Sequence, residues 1–190
     1  DMAENMPVLD LFLKRAVNRR HAKVLLINSR RVEDSRYGML LQPAPGEEVL
    51  LLNGLSAELL KDEAIAKRGR RLSGYKAWVA DMVSEPAAKL NLSEADFLTS
   101  VAMLRSAQRP LFLYGEAVAG GAAGVANVTA LTNLALLLGA VDRVGYLPYD
   151  ANAQGARDMG VLPDRWPGQI ALDDEAALNR LQRQWGGTLL

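Results

Sequence analysis

Lys23-Val24-Leu25-Leu26-Ile27-Asn28 decides the fold class. It is a short, unbroken apolar run ending on a polar residue, and it reads as a strand buried on both faces, as the strands of parallel sheets are. Just before it, Leu9, Phe12, Leu13, Ala16 and Val17 recur at helical spacing between Pro7 and Arg20, with Lys14, Arg15, Asn18 and Arg19 on the other side. That is the pattern of a surface helix laid on a core. A helix feeding a buried strand is an α/β arrangement.

The same grammar continues downstream. Tyr37-Gly38-Met39-Leu40-Leu41-Gln42 is a second short strand, closed by the turn Pro43-Ala44-Pro45-Gly46. Glu47 and Glu48 then sit in the first turn of a helix reaching about Lys61, where negative charge suits the positive end of the helix dipole. A loop and a short helix are expected between Lys67 and Met82. Ser93-Glu94-Ala95-Asp96 resembles a capping box and opens a helix whose core side is Phe97, Leu98, Val101, Ala102 and Leu104. It must stop near Gln108, because Pro110 disfavours helical geometry at Arg109. Pro110 to Gly115 reads as another buried strand, and Val125 to Leu138 as a helix apolar almost all round, hence buried on several sides. Residues 139–168 hold much of the Gly, Pro, Asn and Asp without clear periodicity and are expected to be one long irregular loop. Asp173 to Trp185 forms a last amphipathic helix with Leu178, Leu181 and Trp185 inward, stopped by Gly186-Gly187. The expected fold is therefore α/β and Rossmann-like, a mostly parallel sheet flanked by helices, with residues 1–190 forming a single domain cut from a larger one.

Composition narrows the chemistry. The 190 residues are 49% hydrophobic and 23% charged, which suits a globular domain and excludes disorder. Twenty-two basic residues balance 22 acidic ones, so no global charge excess draws the chain to nucleic acid or to an anionic membrane surface. Zero cysteines exclude thiol catalysis, disulfides and a self-contained iron–sulfur cluster, and one histidine makes a catalytic zinc site improbable. The longest mostly apolar stretch, Val125 to Val141, is interrupted by Asn127, Thr129, Thr132, Asn133 and Gly139 and falls short of the roughly 20 residues that cross a bilayer. Membrane insertion is not expected, nor is a catalytic or metal-ligating residue. The opening residues lack the zones of a signal peptide and read as a helix entrance, with Asp1 and Asn5 as capping residues and Pro7 in the first turn.

Two constellations have ligand-binding readings beside structural ones. Gly115-Glu116-Ala117-Val118-Ala119-Gly120-Gly121-Ala122-Ala123-Gly124 lies between a strand and a helix, where backbone amides can hold a phosphate. It has neither G-x-G-x-x-G nor P-loop spacing, and glycines equally permit close packing. Asn28-Ser29-Arg30-Arg31 stands at the carboxyl end of a strand, where open α/β sheets place ligands and arginines fork onto phosphate, but polar turns are also usual there. Lys67 to Arg71 holds four basic residues in five positions without interleaved aromatics, which argues for a solvated face over nucleic acid. His21 follows Arg19 and Arg20 and reads as a surface residue at a helix end.

Three stretches in order along nearly the whole chain carry a family resemblance. Met6-Pro7-Val8-Leu9 followed by Ala22 to Arg31 resembles the helix–strand–turn of molybdopterin oxidoreductases. Asn152-Ala153-Gln154-Gly155-Ala156-Arg157-Asp158-Met159-Gly160-Val161-Leu162-Pro163 resembles a signature of formate dehydrogenases and of the G chain of NADH:quinone oxidoreductase, respiratory complex I. Trp185-Gly186 after an acid-started helix completes the set. The resemblance implies a region that holds the dinucleotide tail of a pterin cofactor, with contacts at Asn28, Arg30, Glu48, Asn152, Gln154 and Gly155. Ser29 stands where the family has proline, Pro45-Gly46-Glu47-Glu48 replaces Pro-Gly-Thr-Asp, and Tyr146-Leu147-Pro148-Tyr149-Asp150 replaces the Arg-Gly-Gln-Asn lead of formate dehydrogenases. Such erosion resembles the complex I chain. It implies a non-catalytic scaffold with a vestigial molybdopterin guanine dinucleotide site, iron–sulfur clusters elsewhere in the parent, other respiratory-complex subunits as partners, and a place in the peripheral arm on the cytoplasmic side of the inner membrane. A pterin-dinucleotide-binding segment of a formate-dehydrogenase-like molybdenum or tungsten enzyme is the alternative implied.

Overall fold

The computed structural model describes residues 2–188, so the capping role expected of Asp1 lies outside the described residues. The chain divides into two compact units, one ending at Leu147 and the other beginning at Pro148.

In the first unit, α1 (Met2–Asn5) leads into α2 (Pro7–Arg20), which has Pro7 at its first turn and Met6, not Asn5, at the N-cap. His21 ends α2 in the left-handed region at φ 53°, its N–H donating to the carbonyl of Val17. The strand β1 (Leu25–Ile27) follows, then a 3₁₀ turn over Glu33–Tyr37 and β2 (Met39–Leu41). The two strands are parallel, with Leu25 opposite Met39 and Ile27 opposite Leu41. A Cβ on Gly38 would stand 2.1 Å from the carbonyl oxygen of Val24, so only glycine lets the chain enter β2 this close to β1.

Four helices follow: α3 (Glu48–Leu59), α4 (Glu63–Gly69), α5 (Tyr75–Asp81) and α6 (Glu94–Ser106). Residues 67–82, expected to be a loop and one short helix, contain the end of α4 and all of α5, because Asp62 caps α4 by accepting from the N–H groups of Ala64 and Ile65. Ser93 caps α6 as its sequence implied, accepting from the Asp96 N–H at 3.4 Å. Next come β3 (Phe112–Gly115), α7 (Glu116–Ala119), α8 (Gly124–Leu137) and β4 (Val144–Leu147). The strands β3 and β4 are parallel, with Phe112 opposite Val144 and Gly115 opposite Leu147. They therefore form a β-α-β unit in which α8 makes the crossover.

The core lies among α3, α6 and α8. Leu51, Leu55, Leu59, Leu134 and Leu137 are at most 1% exposed. The most enclosed helix is α3, in which residues 51–56 are all buried. Its Ser56 hydroxyl satisfies itself on the Leu52 carbonyl, as Ser100 of α6 does on Phe97. The helix α8 buries Asn127, Ala130, Leu131, Leu134 and Ala135, but leaves Val125 83% exposed. From Ala130 to Leu138 no residue is exposed and α3, α4 and α7 pack against the helix, so it is buried on several sides as expected.

Two further expectations are corrected. The α2 stripe is half-buried at Leu9, Leu13, Ala16 and Val17, with Arg15, Asn18 and Arg19 outward as expected, but Phe12 is 61% exposed and Asp10, at 3%, lies inside. The strands β1 and β3 are half-buried and Leu113 is exposed, so neither is enclosed on both faces.

In the second unit, α9 (Ala153–Asp158) precedes an antiparallel ribbon of β5 (Arg165–Trp166) and β6 (Ile170–Ala171), followed by α10 (Glu175–Trp185). Asp174 caps α10 through the Ala177 N–H, and Gly186 ends it at φ 69°. Ala177 and Leu181 face inward, but Trp185, expected with them, is 58% exposed. Residues 139–168, expected as one irregular loop, carry a 3₁₀ turn over Val141–Arg143, β4, α9 and β5. Their short elements, with glycines inside or beside them, give no periodic signal. The fold is mixed α/β with small parallel sheets; among the described residues the strands pair as three two-stranded sheets.

Candidate functional site

Where β1 ends, the chain is turned by Asn28. Its backbone N–H extends the ladder to the Leu41 carbonyl at 3.1 Å, and its Oδ1 accepts the Arg30 N–H at 3.1 Å. This Asx-type turn carries Arg30 and Arg31 outward, both exposed. Because β1 and β2 are parallel, the turn following β2 leaves from the same edge. There Glu47 accepts the Ala44 N–H at 3.2 Å, and Glu48 reaches back to the Gly46 N–H at 2.9 Å. One oxygen of the Glu48 carboxylate thus bonds its own loop. Asn28, Arg30 and the loop that carries Glu48 issue from one carboxyl edge of a parallel pair, the place where α/β sheets receive ligands.

Asn152, Gln154 and Gly155 lie in the second unit. Asn152 stands at the N-cap of α9 without capping it, and its Oδ1 occupies the space a Cβ on Gly155 would enter, 2.5 Å away. Gln154 donates to Asp158 one turn on, at 2.7 Å. Gly160 turns the chain at φ 82°, and a Cβ there would meet the Gln169 N, Gly168 N and Trp166 O atoms within 2.9 Å. The Gln169 side chain donates to the carbonyls of Arg157 and Asp158, tying the end of α9 to the ribbon.

The glycine-rich segment 115–124 folds upon itself. A Cβ on Gly124 would lie 1.9 Å from the Ala119 carbonyl oxygen and one on Gly120 would lie 2.9 Å from that of Glu116, so backbone fills the space these glycines leave. Asn127 donates to Val118 at 3.1 Å, Tyr146 donates to the Glu116 carboxylate, and the Tyr114 ring lies 5.4 Å from that of Tyr146. A carboxylate at the mouth of this loop opposes a phosphate. Close packing accounts for the glycines.

No family model matches the chain. Among curated proteins it is 30% identical to formate dehydrogenase H of Escherichia coli over 88% of this chain and 25% of that protein. It is 30% identical to the NADH-quinone oxidoreductase G 2 subunit of Rhizobium meliloti over 100% of this chain and 22% of that protein. The probable oxidoreductase YjgC of Bacillus subtilis matches at 27% over 97% and 20%. By descent this chain belongs with the molybdopterin-type oxidoreductases.

The chain spans between a fifth and a quarter of the length of these relatives. The NADH-quinone oxidoreductase relative is one among several in this group. Among the described residues no cluster of three or more His, Asp or Glu is arranged to hold a metal, and no helix is long and apolar enough to cross a membrane. Of the basic run, Arg68 donates to the Leu137 carbonyl at 3.0 Å and Arg70 pairs with Glu63. Both are spent on the fold of this oxidoreductase segment.

Sequence reasoning missed two features. Leu72, Tyr75, Trp78, Asn133 and Leu136 line a cavity of about 240 Å³, with the Tyr75 and Trp78 rings edge to face at 6.2 Å. Trp166 buries its indole N–H without an acceptor among the described residues. A lone tryptophan between Arg165 and Pro167 and a Tyr-x-x-Trp pair in a short helix offered no periodic signal for either.

Proposed function

We propose that this chain is a non-catalytic packing domain of a longer molybdopterin-type oxidoreductase, comparable to the G chain of NADH:quinone oxidoreductase. It sits in a peripheral arm on the cytoplasmic side of the inner membrane, against other subunits of the complex. Its parallel pairs belong to a Rossmann-like sheet, a reading supported by the β3–α8–β4 crossover. The chain has no cysteine, so iron–sulfur clusters are carried by other parts of the parent.

What carries this reading is that three of the polar groups expected to touch a cofactor already make local hydrogen bonds. Glu48 holds the Gly46 N–H, Asn28 holds the Arg30 N–H, and Gln154 is bonded to Asp158. The bond from the Gly46 N–H to one oxygen of Glu48 leaves a base edge fewer acceptors there, which favours the scaffold.

The second reading, a pterin-dinucleotide-binding segment of a formate-dehydrogenase-like enzyme, is favoured by Arg30 and Arg31, which stand exposed at the carboxyl edge of a parallel pair. On that reading Asn28, Arg30, Glu48, Asn152, Gln154 and Gly155 are its contacts. Purification of the full-length parent, with pterin fluorescence after oxidation and molybdenum and tungsten analysis, separates the two. The scaffold reading expects neither pterin nor metal; a stoichiometric cofactor overturns it.

A further inference from the structure

The start of α2 carries an apolar patch on its outward side: Val8, Leu11 and Phe12 are 67%, 63% and 61% exposed, while Leu9, Leu13, Ala16 and Val17 turn inward with the buried Asp10. At 3.6 residues per turn, positions 8, 11, 12, 15 and 19 fall within an arc of about 100°. One stripe therefore runs from three large apolar side chains to Arg15 and Arg19, both exposed and without an ion pair among the described residues. Contiguous exposed apolar side chains mark a surface that something else covers, and two unpaired guanidinium groups beside them call for carboxylates. A membrane surface asks for an apolar face along the whole helix. Here it ends at Phe12, little more than one turn in.

We propose that this face of α2 docks a segment of the same, longer polypeptide, one presenting apolar side chains flanked by Asp or Glu. The source is favoured by size, since three quarters or more of each matched relative lies outside the region this chain covers.

The test uses the full-length protein purified from its source, with p-benzoylphenylalanine in place of Phe12 and, in a second variant, of Leu11, so that misfolding of one leaves the other. After irradiation, mass spectrometry is expected to find a link from either position to an acidic peptide of the same polypeptide outside these 190 residues. Joint Arg15→Glu and Arg19→Glu replacement is expected to cut the yield several-fold, and the Lys replacements to retain it. A link to another subunit, a link confined to this chain, no link above a probe at exposed Val125, or a natural protein no longer than this chain overturns the proposal. So does flotation of the protein with phosphatidylcholine–phosphatidylglycerol vesicles that is lost on Phe12→Glu.

Discussion

The ammonium of Lys14 lies 2.5 Å from the carboxylate of Asp10, one turn earlier on the buried side of α2. Asp10 also has a second oxygen, Oδ1, that is buried without a hydrogen-bond partner. The hydrogen bond to Asp10, reinforced by Tyr37, raises the Lys14 pKa above its ordinary value of 10.5. A lysine whose folded pKa is raised contributes stability that is fully present below its unfolded pKa and is lost as pH climbs through the folded value. Urea denaturation is expected to show wild-type protein losing stability above pH 10.5 through this pair, and Lys14→Met to be less stable at neutral pH and to lack that component of the pH dependence. Equal pH dependence in the two proteins would contradict the assignment.

Gly124→Ala is expected to destabilise by about 1–3 kcal/mol, the range for forcing extra volume into a packed site, because its Cβ would lie 1.9 Å from the Ala119 carbonyl oxygen. Gly187→Ala, with open space around its Cβ, serves as the neutral control. A comparison of urea midpoints decides it; similar midpoints would mean that the 115–124 segment is not closed upon itself.

Leu55 is fully buried at the centre of α3. Leu55→Ala is expected to cost about 2–5 kcal/mol through lost burial and the cavity left behind. Leu98→Ala, on the exposed side of α6, is expected to cost far less, within about 0.5 kcal/mol of wild type. Thermal melts that rank the two variants the other way would displace the core from α3.

Asp62→Ala is expected to cost about 1 kcal/mol, as loss of an N-cap does, since it frees the Ala64 and Ile65 N–H groups. Asp62→Asn should recover most of that. Amide exchange at Ala64 and Ile65 reports it directly; unchanged protection in Asp62→Ala would show that the cap contributes nothing.

Where physics is local, the chain was legible. Ser93 and Asp174 cap helices by accepting from N–H groups three positions on, so both helix starts could be read from short patterns. In α2 the apolar spacing marks the side of Leu9, Leu13, Ala16 and Val17, which does turn inward, but not the edges of that face, where Asp10 is held inside and Phe12 faces out. Strand β4 escaped notice because it is four residues long with Gly145 inside it, and what defines it is its pairing with β3, some thirty residues earlier. At the site, the turn residues Asn28, Arg30 and Glu48 were visible as types. That Glu48 would spend its carboxylate on Gly46 depends on a loop conformation that composition does not encode. Gln169 gave no signal at all, since its role is to meet carbonyls more than ten positions away.

The most direct measurement is a cryo-electron-microscopy map of the full-length parent at a resolution that shows side chains. A packing domain predicts protein density alone beside the Asn28 turn and beside the Asn152 turn, with Glu48 still bonded to Gly46. Pyranopterin or dinucleotide density against either turn would contradict it.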